Sequence, residues 1–261
     1  MILAIDIGNT NIVLGGFEGE EIRFLTRLST SLDKTEAEYA VLVKSILDIY
    51  GVDLSLLEGS IISSVVPPLN NIMKNVVQLL TGHSPLIVGP GIKTGLHIAG
   101  GDPRELGADL VVAAVAAREK YPLPLVILDL GTATTLSVMD KKGSFRGVII
   151  YPGLLVSYDA LASRTAQLPR ISFDEPRQLI GTTSVDSMQS GLVYGSAAMV
   201  DGLIRRVEAE LGEGCTVVAT GGLSSSIVRH CEHPVICDET LLLDGLRILY
   251  EKNRKGGKNR D

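Results

Sequence analysis

Apolar positions follow two rhythms along the chain. From Met1 to Leu28 two apolar runs, ILAI and IVLGGF, flank a polar break at Asp6-Ile7-Gly8-Asn9-Thr10-Asn11, and the segment reads as strand, hairpin, strand. Then the spacing lengthens: Tyr39, Leu42, Val43, Ile46, Leu47 and Tyr50 recur at helical intervals, and Gly51 closes that helix. SIISSVVPP reads as a short buried strand with a proline stop, LNNIMKNVVQLLTG as an amphipathic helix and PLIVGPG as another strand. A β-rich start followed by alternating helix and strand predicts a mixed α/β sheet.

Further on, DPRE places Asp102 as an N-cap, Pro103 at the first helical position and Glu105 at the third, which predicts a helix start. On this helix Leu106, Leu110, Ala113 and Ala117 share a stripe, with Asp109 at its edge. After KYPLP the grammar of the N-terminus returns: ILAIDIGNTNIVLGGFEG is matched by LVILDLGTATTLSVMDKKG, with Asp129, Gly131 and small hydroxyl residues between two apolar runs. Two copies of Asp-x-Gly with threonine close behind, each between strands, predict duplicated domains facing each other across a cleft. The expected boundaries are 1–118 and 119–254, with 255–261 a charged, disordered tail. TVVATGGLSSSIVRHC adds a third glycine turn, Thr220-Gly221-Gly222, between a strand and a helix.

Composition narrows the function classes. A formal net charge of -6 argues against a nucleic-acid-binding surface, so an anionic substrate needs a dedicated site. Three cysteines without C-x-x-C spacing fit a reducing cytoplasm better than a disulfide framework. The N-terminal apolar run lacks a basic flank and reads as a strand, not a signal peptide. The run LVVAAVAA, Leu110 to Ala117, is far shorter than the ~20 residues a membrane span needs.

Two readings of the first polar break stand side by side. Gly8 and Asn9 can simply supply a turn. Alternatively Gly8 admits an anion to backbone N–H groups while Asn9, Thr10 and Asn11 add neutral donors. An Asp facing phosphate at ~4 Å is repelled by roughly 4 kcal/mol at an effective dielectric near 20, which a divalent cation between them removes. Asp6 is then a carboxylate for Mg²⁺, direct or through water. Asp109 reads either as a structural carboxylate bonded to a neighbouring helix or as a partly desolvated group that orients a substrate hydroxyl and accepts its proton. Asp129 either closes a strand or points into the cleft, where a carboxylate among backbone carbonyls suits K⁺ or NH₄⁺.

Phosphate loop, phosphate loop and nucleoside loop in this order resemble the actin, Hsp70 and sugar-kinase superfamily. Within it, DIGNTN, DPRELGAD, DLGTATT, PGL at Pro152 to Leu154, ALASRTAQLPRI, IGTTSVDSMQSGLVYG and TGGL resemble the type III pantothenate kinases over nearly the whole chain. The resemblance implies duplicated ribonuclease-H-like α/β domains with mixed sheets, a cytoplasmic homodimer, and ATP-dependent phosphorylation of pantothenate to 4'-phosphopantothenate, the first step of coenzyme A synthesis, with Mg²⁺ and a monovalent cation. It further implies ATP contacts at Asp6, Ile7, Gly8, Asn9, Thr10, Asn11, Ile12, Val13 and Thr132, with Gly221 and Gly222 beside the nucleoside. Asp109 is the implied base and Asp129 the implied monovalent-cation ligand. Gly100, Gly107, Ala108, Asp109, Leu110 and Ser184 are the implied pantothenate contacts. The family usually reads Gly-x-Asp-Arg where this chain has Gly107-Ala108-Asp109-Leu110, and commonly carries Tyr where it has Gly100. These departures point alternatively to a non-catalytic paralogue or to a kinase for another small hydroxyl compound.

Overall fold

The computed structural model describes residues 1–100, 102 and 105–254. In chain order the elements are β1 (Ile2–Ile7), β2 (Asn11–Glu18), β3 (Glu21–Ser29), α1 (Glu36–Ile49), β4 (Gly59–Ser64), α2 (Pro67–Thr81), β5 (Leu86–Ile87), β6 (His97–Ile98) and α3 (Ala108–Lys120). They continue with β7 (Leu125–Leu130), β8 (Ala133–Met139), β9 (Ser144–Pro152), α4 (Leu154–Arg164), α5 (Ser184–Leu211), β10 (Thr216–Thr220), α6 (Ser224–Val228), β11 (Ile236–Cys237) and α7 (Leu241–Arg254).

Packing divides the chain into two units. The first holds a sheet of order β3-β2-β1-β4-β5, antiparallel through β1 and parallel beyond it. All six residues of β1 are buried, which accounts for its unbroken apolar run: a central strand covered on both faces has no water-facing positions. Leu3, Ile5 and Ile7 join Tyr39, Val43 and Leu47 of α1 and Met73, Val76 and Val77 of α2 in one core. Thr35 and Glu38 form a capping box that starts α1, and Pro67 opens α2. Helix α7 packs on β1 and β4, and Gly15 of β2 leaves room for the Leu243 side chain, whose Cδ1 would lie 2.6 Å from a Cβ built there.

The second unit repeats the topology. Followed from β9, its sheet runs β9-β8-β7-β10-β11, antiparallel then parallel as in the first, with the short β6 added beside β9. Val126, Leu128 and Leu130 of β7 pack against Val193, Ala197, Val200 and Ile204 of the 28-residue α5.

Three particulars differ from the sequence reading. Helix α7, grouped by sequence with the second domain, packs with the first unit, while residues 96–100 go with the second. A linear boundary at 118/119 cannot capture a fold whose last helix returns to the first sheet. Helix α3 begins at Ala108, not at Pro103. The Glu105 N–H instead donates to the Asp102 carbonyl at 3.0 Å in a separate turn. Pro103 and the expected disordered tail, 255–261, lie outside the described residues.

Candidate active site

In both sheets the first strand ends in a carboxylate one residue before its last position. Asp6 pairs with Val13 across the hairpin and with Ser63 on the parallel neighbour. Asp129 pairs with Thr135 across its hairpin and with Thr220 on its parallel neighbour. The repeat read from the sequence is therefore a repeat in space, each carboxylate standing at the C-terminal edge of a parallel pair.

The first loop is closed by its own backbone, the Gly8 N–H donating to the Asn11 carbonyl at 2.9 Å. Thr30, just past β3, braces it: its hydroxyl donates to the Gly8 carbonyl at 2.6 Å and its N–H to the Thr10 carbonyl at 2.9 Å. Asn9, Thr10 and Asn11 are exposed, while Ile7 and Ile12 are fully buried in the core. Of the segment 6–13, the Ile7 and Ile12 side chains thus face away from any ligand, and these residues can reach one only through the backbone.

Asp6 is buried, and burial pushes its carboxyl up to about 7. The Ser63 hydroxyl works against this, near enough to favour the carboxylate although it lacks a hydrogen bond of full geometry. The negative charge of Asp109 adds to the rise. Asp109 lies in the first turn of α3, where its Oδ1 accepts the Leu110 N–H at 2.8 Å. Burial raises its pKa, and the backbone hydrogen bonds oppose the shift. A Cβ at Gly107 would fall 2.5 Å from that Oδ1, so the absence of a side chain there leaves room for the carboxylate. The structure thus brings Asp6, Gly107, Ala108, Asp109 and Leu110 into one unit, with Asp109 close enough to disfavour the ionisation of Asp6.

The second loop joins Asp129, Thr132 and Gly221. A Cβ at Gly221 would lie 2.6 Å from Asp129 Oδ1 and 2.7 Å from the Leu130 carbonyl carbon, and φ there is +95°. Both space and conformation therefore require glycine. Thr132 and Gly222 are exposed. Gly153, the N-cap of α4, packs against this loop from β9, and its N–H donates to the Thr132 carbonyl at 3.1 Å.

Ser184 is the exposed first residue of α5, capped by Thr183, and it lines a groove of about 750 Å³ with Tyr151, Leu154, Tyr158 and Met188. Gly100 follows β6 with φ of +105° and open space around it, a conformation that a tyrosine adopts only under strain. The backbone at that position is glycine's own.

Among the described residues no three His, Cys, Asp or Glu side chains converge as a ready-made metal cage. One or two carboxylates, here Asp6 with Asp109 nearby, form the donor set that suits Mg²⁺, which keeps waters and substrate oxygens as its other ligands. Asp129, with the Leu130 carbonyl close by at Gly221, offers a carboxylate and a carbonyl, donors appropriate to a larger monovalent ion. The bracing residues Thr30 and Ser63 carried no signal in the sequence. The Pro-Gly at 152–153, where a strand passes into a helix, did carry one.

A family model described as type III pantothenate kinase matches residues 2–206. A type III pantothenate kinase of an Exiguobacterium species is 48% identical over 255 residues, covering 98% of this chain and 100% of that one. One from Halalkalibacterium halodurans is 44% identical, covering 97% and 100%. Among solved structures, the activator of the 2-hydroxyisocaproyl-CoA dehydratase from Clostridium difficile with bound ADPNP aligns at a TM-score of 0.58 and 13% identity, covering 100% of this chain and 98% of that one. The ROK hexokinase from Thermus thermophilus aligns at 0.51 and 13%, covering 98% and 99%. These distant structural likenesses fix the fold as that of the actin, Hsp70 and sugar-kinase group, matching the doubled strand order. With that fold, the paired Asp-x-Gly loops and near-full-length identity approaching one half, the chain belongs to the type III pantothenate kinase family.

Proposed function

We propose that the protein transfers the γ-phosphoryl group of ATP to pantothenate, giving 4'-phosphopantothenate and ADP, and that it does so as a cytoplasmic homodimer. The observation that carries this reading is the duplicated carboxylate-ended hairpin, Asp6 with its loop and Asp129 with its loop, in a chain whose family is defined by that activity. The loop from Asp6 to Val13 receives phosphate through backbone amides and the exposed Asn9, Thr10 and Asn11 side chains. Thr132 contacts phosphate from the second loop, and Gly221 and Gly222 admit the nucleoside to close backbone approach.

Asp6 would hold Mg²⁺, directly or through water, and the ion would supply charge neutralisation at the phosphates. Asp129 would hold the monovalent cation. Asp109 orients the acceptor hydroxyl, whose oxygen attacks the γ-phosphorus. As the bond to ADP breaks, the hydroxyl proton passes to Asp109, whose burial raises its affinity for that proton. Gly100, Gly107, Ala108, Leu110 and Ser184 complete the acceptor site. Exposed Ile150, Tyr151, Leu155, Leu161, Leu179 and Ile180 support self-association of the second unit.

Asp109→Asn tests the assignment. It keeps the shape and removes the base, so turnover of pantothenate falls by ~10²-fold or more while MgATP still binds. Turnover equal to the parent's sinks the role given to Asp109.

The replacement of the family's usual arginine by Leu110 favours a second reading, a kinase whose acceptor is a less anionic alcohol. ATP consumption measured with pantothenate and with uncharged analogues separates the two.

A further inference from the structure

We infer that Gly153 is a positioning residue for the second phosphate loop, setting from behind the direction in which the loop's amides face. The inference rests on the reading of the Thr132 loop as a nucleotide loop. Gly153 has φ of -63° and ψ of 161°, values open to any residue, so glycine is required here for space and not for conformation. A Cβ built on it falls inside the van der Waals envelope of both the Gly131 and Thr132 carbonyl oxygens, and 2.6 Å from the Thr132 carbonyl carbon. These are backbone atoms of a tight turn whose preceding residue, Leu130, is itself in close contact with Gly221, and they have no flexible side chain to swing away.

The contact has a directional consequence. A trans peptide keeps its carbonyl and the following N–H on opposite sides. Because the Gly131 and Thr132 carbonyls crowd Gly153, the N–H groups of Thr132 and Ala133 point away from it. Two successive amides facing one way form an anion-binding concavity. The Gly153 N–H donates to the Thr132 carbonyl and fixes the second of these planes. Leu154, the next residue, is buried in the core beneath β7 and α5 and anchors the first turn of α4 behind the loop. Pro152 pairs with Ala133 at the end of β9, so the approach of residues 152–154 is set by sheet register.

A side chain at 153 turns both peptide planes and moves two donors off the phosphate without touching the acceptor residues. Gly153→Ala is best made together with Gly202→Ala, since Gly202 sits in α5 with nothing within 4 Å of a built Cβ and alanine stabilises a helix interior. The double variant, melting near the parent, is expected to raise the KM for ATP by about ten- to a hundredfold, the loss of one charge-assisted hydrogen bond to phosphate, with the pantothenate KM within about twofold. If it fails to fold, Leu154→Ala in the Gly202→Ala background loosens the same joint without intruding on the loop and should raise the ATP KM several-fold. An ATP KM equal to the parent's in the folded variant overturns the inference. So does a loss of activity that tracks the folded fraction with both KM values unchanged. Calorimetry on the parent separates the underlying reading: no heat with millimolar MgATP means the loop is not a nucleotide site, and both fall together. Parent binding with an unaffected Gly153→Ala, Gly202→Ala protein removes the inference alone.

Discussion

Replacing Asp6 by asparagine should make the nucleotide-free protein more stable at alkaline pH. The carboxyl is buried beneath the first loop and its pKa rises from 3.8 to about 7, with desolvation as the main cause, Ser63 opposing it and Asp109 adding to it. A group whose folded pKa lies above its unfolded one stabilises the native state fully below the unfolded value, and that stability is lost as pH rises to the folded value. Between pH 4 and 7 the native chain keeps a proton that the unfolded chain has released. At about 1.36 kcal/mol per pH unit this amounts to ~4 kcal/mol by pH 8. An asparagine side chain cannot ionise, so the stability gap between Asp6→Asn and the parent should widen in the variant's favour by about that amount from pH 4 to pH 8. For a chain of this length it appears as roughly 10 °C in melting temperature. Thermal and urea unfolding of both proteins at half-unit pH steps measure it, and taking the difference cancels every group the two share. Saturating MgATP should then narrow the gap at pH 8, since a cation beside Asp6 relieves the buried charge. Parallel stability curves, with the gap constant to within about 1 kcal/mol from pH 5 to 8, would refute the reasoning and place Asp6 in contact with water.

Three further outcomes are expected. Leu110→Arg should lower the pantothenate KM by about ten- to a hundredfold with the ATP KM nearly unchanged, because a charge-assisted hydrogen bond to a carboxylate contributes roughly 1.5–3 kcal/mol; strong turnover by the parent, unimproved by arginine, shows that another residue already binds the acid. The companion change Gly100→Tyr should bring no gain, since φ is +105° there, and a further fall in KM on adding it would show that the backbone relaxes. Asp201→Ala should destabilise the second unit by about 2–4 kcal/mol in urea unfolding: this buried carboxylate accepts the Glu232 and His233 N–H groups at 2.8 and 3.0 Å, and both lose their partner; a change under 1 kcal/mol would mean that water replaces it.

Much of the architecture could be read along the chain because it rests on local signals. The unbroken apolar run of β1 announces a strand covered on both faces, and Tyr39, Val43 and Leu47 announce the buried face of α1. The repeated Asp-x-Gly with threonine close behind announces two copies of one hairpin, since a strand that must end in a carboxylate and turn on glycine has few other spellings. Caps were less secure. Asp102-Pro103 looks like a helix start, yet α3 begins five residues later at Ala108, which shows that capping residues bias a start without fixing it.

The sequence by itself determined which residue types stand at the two strand ends, the order of the loops, and the family. Only the tertiary structure decided what those residues experience. That Asp6 titrates near neutrality follows from burial and from Asp109, a residue 103 positions away whose proximity no local pattern encodes. That Thr30 braces Gly8, that Gly221 must lie against Asp129, and that Gly153 supports Thr132 are contacts between distant segments, made when the strands pair in register. The return of α7 to the first sheet is of the same kind: its apolar face would suit several surfaces, and packing on β1 and β4, with Tyr250 against Gly59, selects one. Periodicity and turn chemistry act over a few residues and are legible in order. Desolvation and close approach depend on three-dimensional neighbours and appear only when the chain has folded.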